Sequence, residues 1–167
     1  MPTLAALDEQ GGEAKLVTLQ RRLGASRELL KRTLLFLIDA RLVLRNPGYG
    51  HPMRPEYLLT PAGRVLAPAC ARLLKRLDRL GIEEIGLKKW SLPVADALAT
   101  ADGRFNRIRA ILSGVTPRAL AQALRDLQMA GLVERRLIDD SPPRTEYRLT
   151  RAGLGIAPLV RALAGTP

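Results

Sequence analysis

The 167-residue sequence holds one cysteine, Cys70, and one histidine, His51. A single cysteine forms no intramolecular disulfide framework, and the two residues supply no thiolate or imidazole cluster for a metal. Aromatic residues are only 4%, too few for a platform that stacks single-stranded nucleic-acid bases. The apolar run Leu34 to Ile38 is far too short to span a bilayer. The first ten residues lack a basic stretch ahead of an apolar core, so they do not read as a signal peptide, and a cytoplasmic location is expected. Acidic residues are also scarce: 16 Asp and Glu face 27 Lys and Arg, for a net charge of +11. That excess favours a polyanionic partner, with duplex nucleic acid first and an anionic membrane surface as the rival. No carboxylate pair, Ser–His arrangement or ligand cluster supports catalysis. Gly48-Tyr49-Gly50 lacks the Lys-Ser/Thr that would follow in a phosphate loop. Neither an enzyme nor a cofactor is expected. What remains, 47% hydrophobic and 26% charged residues, is the composition of an ordinary folded protein.

The chain repeats itself. Residues 24 to 73 laid without a gap on residues 114 to 163 give 19 identities in 50 positions, where chance at this Leu-, Ala- and Arg-rich composition gives roughly 3 or 4. Leu42-Val43 falls on Leu132-Val133, Glu56-Tyr57 on Glu146-Tyr147, Leu59-Thr60 on Leu149-Thr150, and Ala62-Gly63 on Ala152-Gly153. This predicts two copies of one module, residues 1–86 and 87–167. The charge divides evenly between them, with 14 basic and 9 acidic residues in the first and 13 and 7 in the second. One extended basic surface fits that better than a basic tail.

Within the second copy, Phe105, Ile108, Ile111 and Leu112 recur at helical spacing until Ser113-Gly114 breaks the run. Thr116 is suited to cap a second helix and Pro117 to open it, because the N–H that proline lacks has no helical partner there. Leu120, Leu124 and Leu127 form its apolar stripe, and Ala130-Gly131 supplies a left-handed stop. Leu132–Ile138 and Arg144–Thr150 read as strands around the turn Asp139-Asp140-Ser141-Pro142-Pro143, and Thr150 caps a final helix. The first copy repeats this with Ser26 as cap, Leu30, Leu34 and Leu37 as stripe, and strands Leu42–Asn46 and Glu56–Leu59. Helix, tight turn, helix and hairpin make a winged helix-turn-helix. The expected fold is mainly α with short β-hairpins: two tandem winged helix-turn-helix modules joined by a long amphipathic helix. Val65, Leu66, Ala69, Leu73, Leu77 and Leu80 would share one face of that joining helix, which should end near Gly81.

Residues 90 to 163 resemble the HxlR family of bacterial winged-helix regulators, related in fold to the MarR regulators. The matching runs are Lys89-Trp90, Gly103-Arg104-Phe105-Asn106, Gly114-Val115-Thr116-Pro117-Arg118-Ala119-Leu120 and Leu124-Arg125-Asp126-Leu127. They continue with Ala130-Gly131-Leu132-Val133-Glu134-Arg135 and Pro142-Pro143-Arg144-Thr145-Glu146-Tyr147-Arg148-Leu149-Thr150. The resemblance implies DNA binding, transcriptional regulation and a homodimer. It also implies that the helix after Thr116 reads the groove and the segment around Pro142–Arg144 forms the wing. Redox-sensing members carry a cysteine ahead of the tryptophan, and Glu83 to Lys89 has none.

With the leucine stripe turned inward, Arg118, Ala119, Gln122 and Arg125 point outward. Arginine can fork onto guanine and glutamine onto adenine, so this face suits base reading; a solvated helix face is the alternative. Thr116 is first a cap and second a phosphate contact. Arg104 and Arg107 are placed to clamp backbone phosphates. Arg144 is the expected wing contact, whereas strand-edge solvation accounts equally for Arg135, Arg136 and Arg148. In the first copy Arg27, Lys31, Arg32 and Arg54, with Tyr49 and His51 by the wing, leave backbone binding open beside a purely structural role. There Leu35 and Phe36 stand where the second copy has Arg125 and Asp126, and an apolar face of that kind points to an interface. Leu66, Leu73 and Leu77 of the joining helix are expected in an interface as well, within a homodimer or an intrachain pseudo-dimer. An interaction scaffold and a nonspecific architectural DNA binder are the alternative functions. Cys70 is expected to be a buried core thiol, and Glu56 and Glu146 to sit in intramodule salt bridges.

Overall fold

The computed structural model describes residues 1–47, 55–141 and 143–164. They fall into two compact units, Met1–Leu74 and Lys75–Ala164.

In the first unit the chain runs through α1 (Pro2–Glu9), β1 (Glu13–Lys15), α2 (Leu16–Leu23), α3 (Arg27–Asp39), β2 (Val43–Asn46), β3 (Glu56–Leu59) and into α4 (Pro61–Arg79), inside which the division between the units falls. The Ser26 side chain accepts the Leu29 N–H at 3.2 Å and so caps α3. Leu30, Leu34 and Leu37 are buried on its inner face. Each such leucine removed from water contributes about 1.5–3 kcal/mol. The strands form an antiparallel sheet in the order β1-β3-β2, with Val43 opposite Leu59 and Ala14 opposite Tyr57. Strand β1 is an addition to the expected hairpin. Its three residues, Glu13-Ala14-Lys15, are too few to show an alternation in sequence, and Lys15 pairs with Glu56 across it at 3.6 Å.

The second unit holds α5 (Glu83–Gly86), α6 (Ser91–Thr100), α7 (Phe105–Ile111), α8 (Pro117–Met129), β4 (Val133–Ile138), β5 (Arg144–Leu149), α9 (Arg151–Leu154) and α10 (Ala157–Ala164). Val133 lies opposite Leu149 and Arg136 opposite Glu146 in the β4–β5 hairpin, and Arg104 adds an isolated bridge to Glu146. Helix α6 packs on α8 and α10, and its inner residues Val94, Ala95, Ala97 and Leu98 are buried with Leu120, Leu124, Leu127 and Ile156. The single final helix expected after Thr150 is two helices, with Gly155 and Ile156 between α9 and α10.

The helix after each hairpin is tied down in the same way. Thr60 donates its hydroxyl to the Arg41 carbonyl at 2.8 Å and its N–H to the Leu42 carbonyl at 3.1 Å, while its Oγ1 accepts the Gly63 N–H. Ninety residues on, Thr150 donates to the Gly131 carbonyl at 2.7 Å and the Leu132 carbonyl at 3.0 Å, and accepts from Gly153. Gly63 and Gly153 must be glycine because a Cβ at either would collide with the carbonyl oxygen of Leu42 or Leu132.

Helix α4 ends at Arg79, with Gly81 at φ 65° just beyond it. Leu73 and Leu77 are fully buried and Leu66 half-buried, but Val65 is 65% exposed and does not share their face. Val65 precedes Leu66 by one residue, about 100° around the helix. Cys70 is buried, and that burial pushes its thiol pKa up. No helix among the described residues is long and apolar enough to cross a membrane.

Candidate nucleic-acid interface

The site is assembled on α8, the second helix of the α7–α8 turn. Leu112 ends α7, Gly114 takes φ 79° in the turn, and Val115 is buried beneath it. Thr116 then caps α8 by accepting the Ala119 N–H at 3.2 Å, with Pro117 in the first turn. Once Leu120, Leu124 and Leu127 are buried, helix geometry leaves Arg118, Gln122 and Arg125 exposed and Ala119 half-buried. Arg118 makes no ion pair among the described residues; Thr116 is exposed beside it.

Gln122 and Arg125 belong to a chain of polar contacts. Asp126, only 4% exposed, accepts a hydrogen bond from Gln122 Nε2 at 2.8 Å and another from Lys88 Nζ at 3.1 Å. Gln122 Oε1 in turn accepts from Arg125 Nη2 at 2.8 Å. The hydrogen bond from Gln122, with the hydrogen bond and charge of Lys88 and the charge of Arg125, holds the Asp126 carboxyl below the usual carboxylate range against the opposing effect of burial. Beside this chain lies an open cavity of about 180 Å³, lined by Lys88, Trp90, Ser91, Ala119, Gln122 and Asp126 among others. Sequence reasoning missed Lys88 and the burial of Asp126. The signal available was Gln122 and Asp126 at i, i+4, a spacing that brings two helical side chains together.

The wing side is dominated by paired charge. Arg144 binds Asp140 at 2.9 Å and Glu146 at 3.1 Å, Arg148 binds Glu146 at 3.4 Å, and Arg136 binds Glu134 at 2.6 Å. Arg135 donates to the Thr145 hydroxyl at 3.3 Å. Side chains two apart on a strand share a face, so Arg144, Glu146 and Arg148 meet along β5 and Glu134 meets Arg136 along β4, while Asp140 reaches Arg144 from the turn. At the start of α7, Arg104 pairs with Asp102 at 3.5 Å, and Arg107 is exposed with no ion pair among the described residues.

In the first unit, α3 exposes Arg27, Lys31 and Arg32 together with Leu29, Leu35 and Phe36, the last two 66% and 70% exposed. Position 36 and position 126 fall at the same place in their helices. Asp126 is buried because α5 and Lys88 lie against α8, whereas Phe36 is open. Arg54, Tyr49, His51 and Pro142 lie outside the described residues. No group of three or more potential metal ligands occurs among the described residues.

Comparison with known proteins places these observations. Residues 85–165 match the family of HxlR-like helix-turn-helix proteins. The chain is 33% identical over 91 residues to the HTH-type transcriptional regulator YvaP of Bacillus subtilis, covering 54% of this chain and 79% of YvaP. To an HTH-type transcriptional regulator of Methanothermobacter thermautotrophicus it is 36% identical over 84 residues, half of this chain and 63% of that one. Among solved structures, diamide-treated YodB from B. subtilis is 22% identical with a TM-score of 0.44, over 48% of this chain and 80% of YodB. The match over residues 85–165 and the extent of YvaP it spans establish that this chain belongs to the HxlR-like helix-turn-helix family.

Proposed function

We propose that this protein binds double-stranded DNA with sequence preference and regulates transcription in the bacterial cytoplasm. Helix α8 lies in the major groove and the β4–β5 hairpin forms a wing against the backbone. The observation that carries the reading is the outward face of α8, where Arg118, Gln122 and Arg125 stand exposed around the half-buried Ala119 at the capped end of a helix-turn-helix. Arginine and glutamine are the side chains that fork onto guanine and adenine, and a small residue between them lets the helix come close to the base edges. Relatives named as transcriptional regulators support it. Thr116 and Arg107 supply phosphate contacts, Arg104 and Arg144 do so after giving up their carboxylate partners, and net charge +11 draws the polyanion in.

The tandem organisation belongs to the same reading. Nineteen identities in 50 aligned positions and the matching Thr60 and Thr150 contacts support two copies of one module, residues 1–86 and 87–167, acting as an intrachain pseudo-dimer. A second module tethered in one chain binds at high effective concentration, so a single chain can hold two half-sites. Because α3 and α8 differ in their outward residues, the preferred site is asymmetric. In this arrangement Arg27, Lys31, Arg32 and Arg54 hold backbone phosphates, and Leu66, Leu73 and Leu77 lie in the interface that sustains the pair.

Fluorescence-anisotropy titration against random duplex DNA over a series of salt concentrations tests the first step. Affinity should fall steeply with salt, with a slope of about 0.9 per neutralised phosphate. Sequence selection should then recover a motif that Arg118→Ala with Arg125→Ala abolishes. The absence of binding at low salt overturns the reading. A second reading, an interaction scaffold, is favoured by the exposed Leu35 and Phe36 of α3. In that case the double arginine variant leaves function intact and Phe36→Glu removes it.

A further inference from the structure

Buried Asp126 reaches the outward face of α8 through a single intermediate, Gln122. We propose that Asp126 is a positioning residue for base reading: it fixes the Gln122 amide, Gln122 holds Arg125, and Arg125 reads guanine at its position in the DNA site. This rests on the proposed placement of α8 in the major groove and adds to it which base is read and through which residues.

Hydrogen-bond chemistry dictates the orientation of the amide. An ionised carboxylate only accepts and a guanidinium only donates. A glutamine between the two therefore turns Nε2 to Asp126 and Oε1 to Arg125, as observed at 2.8 Å on each side. Asp126 cannot swing away, because it is buried and its other oxygen is held by Lys88 at 3.1 Å. Its depressed pKa keeps it an acceptor across the neutral range.

Two consequences follow for the outward face. Reading adenine requires Gln122 to offer Oε1 and Nε2 together, and each already carries a protein partner that an adenine contact would have to share or displace. Arg125 is held through Nη2 alone and keeps its remaining donors for O6 and N7 of guanine. A long side chain already fixed in one arrangement also loses less freedom on binding than a mobile one. The chain of contacts thus favours Arg125 as reader and Gln122 as its support.

The test is sequence selection from a randomised duplex pool by the full chain and its variants, with thermal unfolding of each variant to show that it is folded. The unsubstituted protein should enrich guanine at a position where Arg125→Ala loses the preference. Gln122→Met and Asp126→Leu should each lower guanine enrichment there by about tenfold, within the range of one bidentate base contact, and leave the other positions unchanged. Asp126 is buried beneath Gln122, so a change of base preference on its substitution reports positioning, whereas a merely structural role moves stability and overall affinity together. Should Asp126→Leu fail to fold, the exposed Gln122→Met decides the matter. Guanine preference that survives in folded Gln122→Met overturns the proposal. So does an adenine preference that Gln122→Met removes and Arg125→Ala keeps. Absence of any sequence preference in the unsubstituted protein overturns instead the DNA-reading function on which the proposal rests.

Discussion

Arg41 and Gly131 sit in the same left-handed turn after their helices, at φ 56° and 67°. In each case the N–H of the turn residue bonds the carbonyl three back, Ile38 or Gln128, and the next N–H bonds the carbonyl five back, Leu37 or Leu127, all at 2.9 Å. This is the helix stop that glycine fills without steric cost and an L side chain fills with strain. Arg41→Gly should therefore raise the stability of the first unit by about 0.5–1 kcal/mol, and Gly131→Ala should lower that of the second by about 1 kcal/mol. Urea unfolding midpoints of the two variants check this, and an unchanged or lower midpoint for Arg41→Gly counts against it.

Gly153→Ala should be far more damaging than Gly131→Ala. Its methyl group would meet the Leu132 carbonyl oxygen, a backbone atom that cannot rotate aside. A loss of about 3 kcal/mol or more is expected, at the upper end of overpacking effects. Gly63→Ala should do the same against Leu42. Thermal unfolding of both variants is the measurement, and a shift no larger than that of Gly131→Ala would show that the joint yields.

Asp126 makes the second unit acid-sensitive in a definite sense. Its folded pKa lies below the unfolded value of about 3.9, so its contribution is complete above that pH and is lost as pH falls through the folded value. Between pH 6 and pH 2.5, Asp126→Asn should show a flatter decline of the urea midpoint than the unsubstituted chain. Parallel declines would mean that the hydrogen bond from Gln122 and the neighbouring Lys88 do not favour the ionised form.

Cys70 behaves in the opposite direction. Burial raises its thiol pKa, so the unfolded chain ionises from about pH 8.5 while the folded chain stays neutral, and stability falls as pH rises beyond that point. Labelling by a thiol reagent should be on the order of a hundredfold slower in the folded protein than in denaturant. Fast labelling under native conditions would contradict its burial.

Legibility in the sequence followed the length of the signal. The stripes Leu30-Leu34-Leu37 and Leu120-Leu124-Leu127 and the caps Ser26, Thr116 and Thr150 are local, and each stands where spacing and side-chain chemistry placed it. Glu56 and Glu146 likewise pair within their own units. Strand β1 could not be read because three residues carry no period, and α1 and α6 bury neighbouring residues, Thr3 to Leu7 in one and Val94, Ala95, Ala97 and Leu98 in the other, so no single stripe stands out. Asp126 was hidden for another reason. What buries it includes Lys88, 38 residues away, a tertiary fact that no window on α8 contains. The paired hairpin arginines lie nearer the legible end, since Glu134 and Arg136, and Arg144, Glu146 and Arg148, are each two apart on one strand and so share a face.

The joint made by Thr60 with Gly63, and again by Thr150 with Gly153, has a consequence for how such a chain diverges. It demands two residue types and otherwise only main-chain carbonyls, those of Arg41 and Leu42 or of Gly131 and Leu132. Substitutions at outward positions leave that demand untouched, so Arg125 can be exchanged for leucine, the residue that stands exposed at position 35, without dismantling the frame beneath. The joint thus fixes how a hairpin meets the helix that follows it and leaves the exposed residues of α3 and α8 open to change.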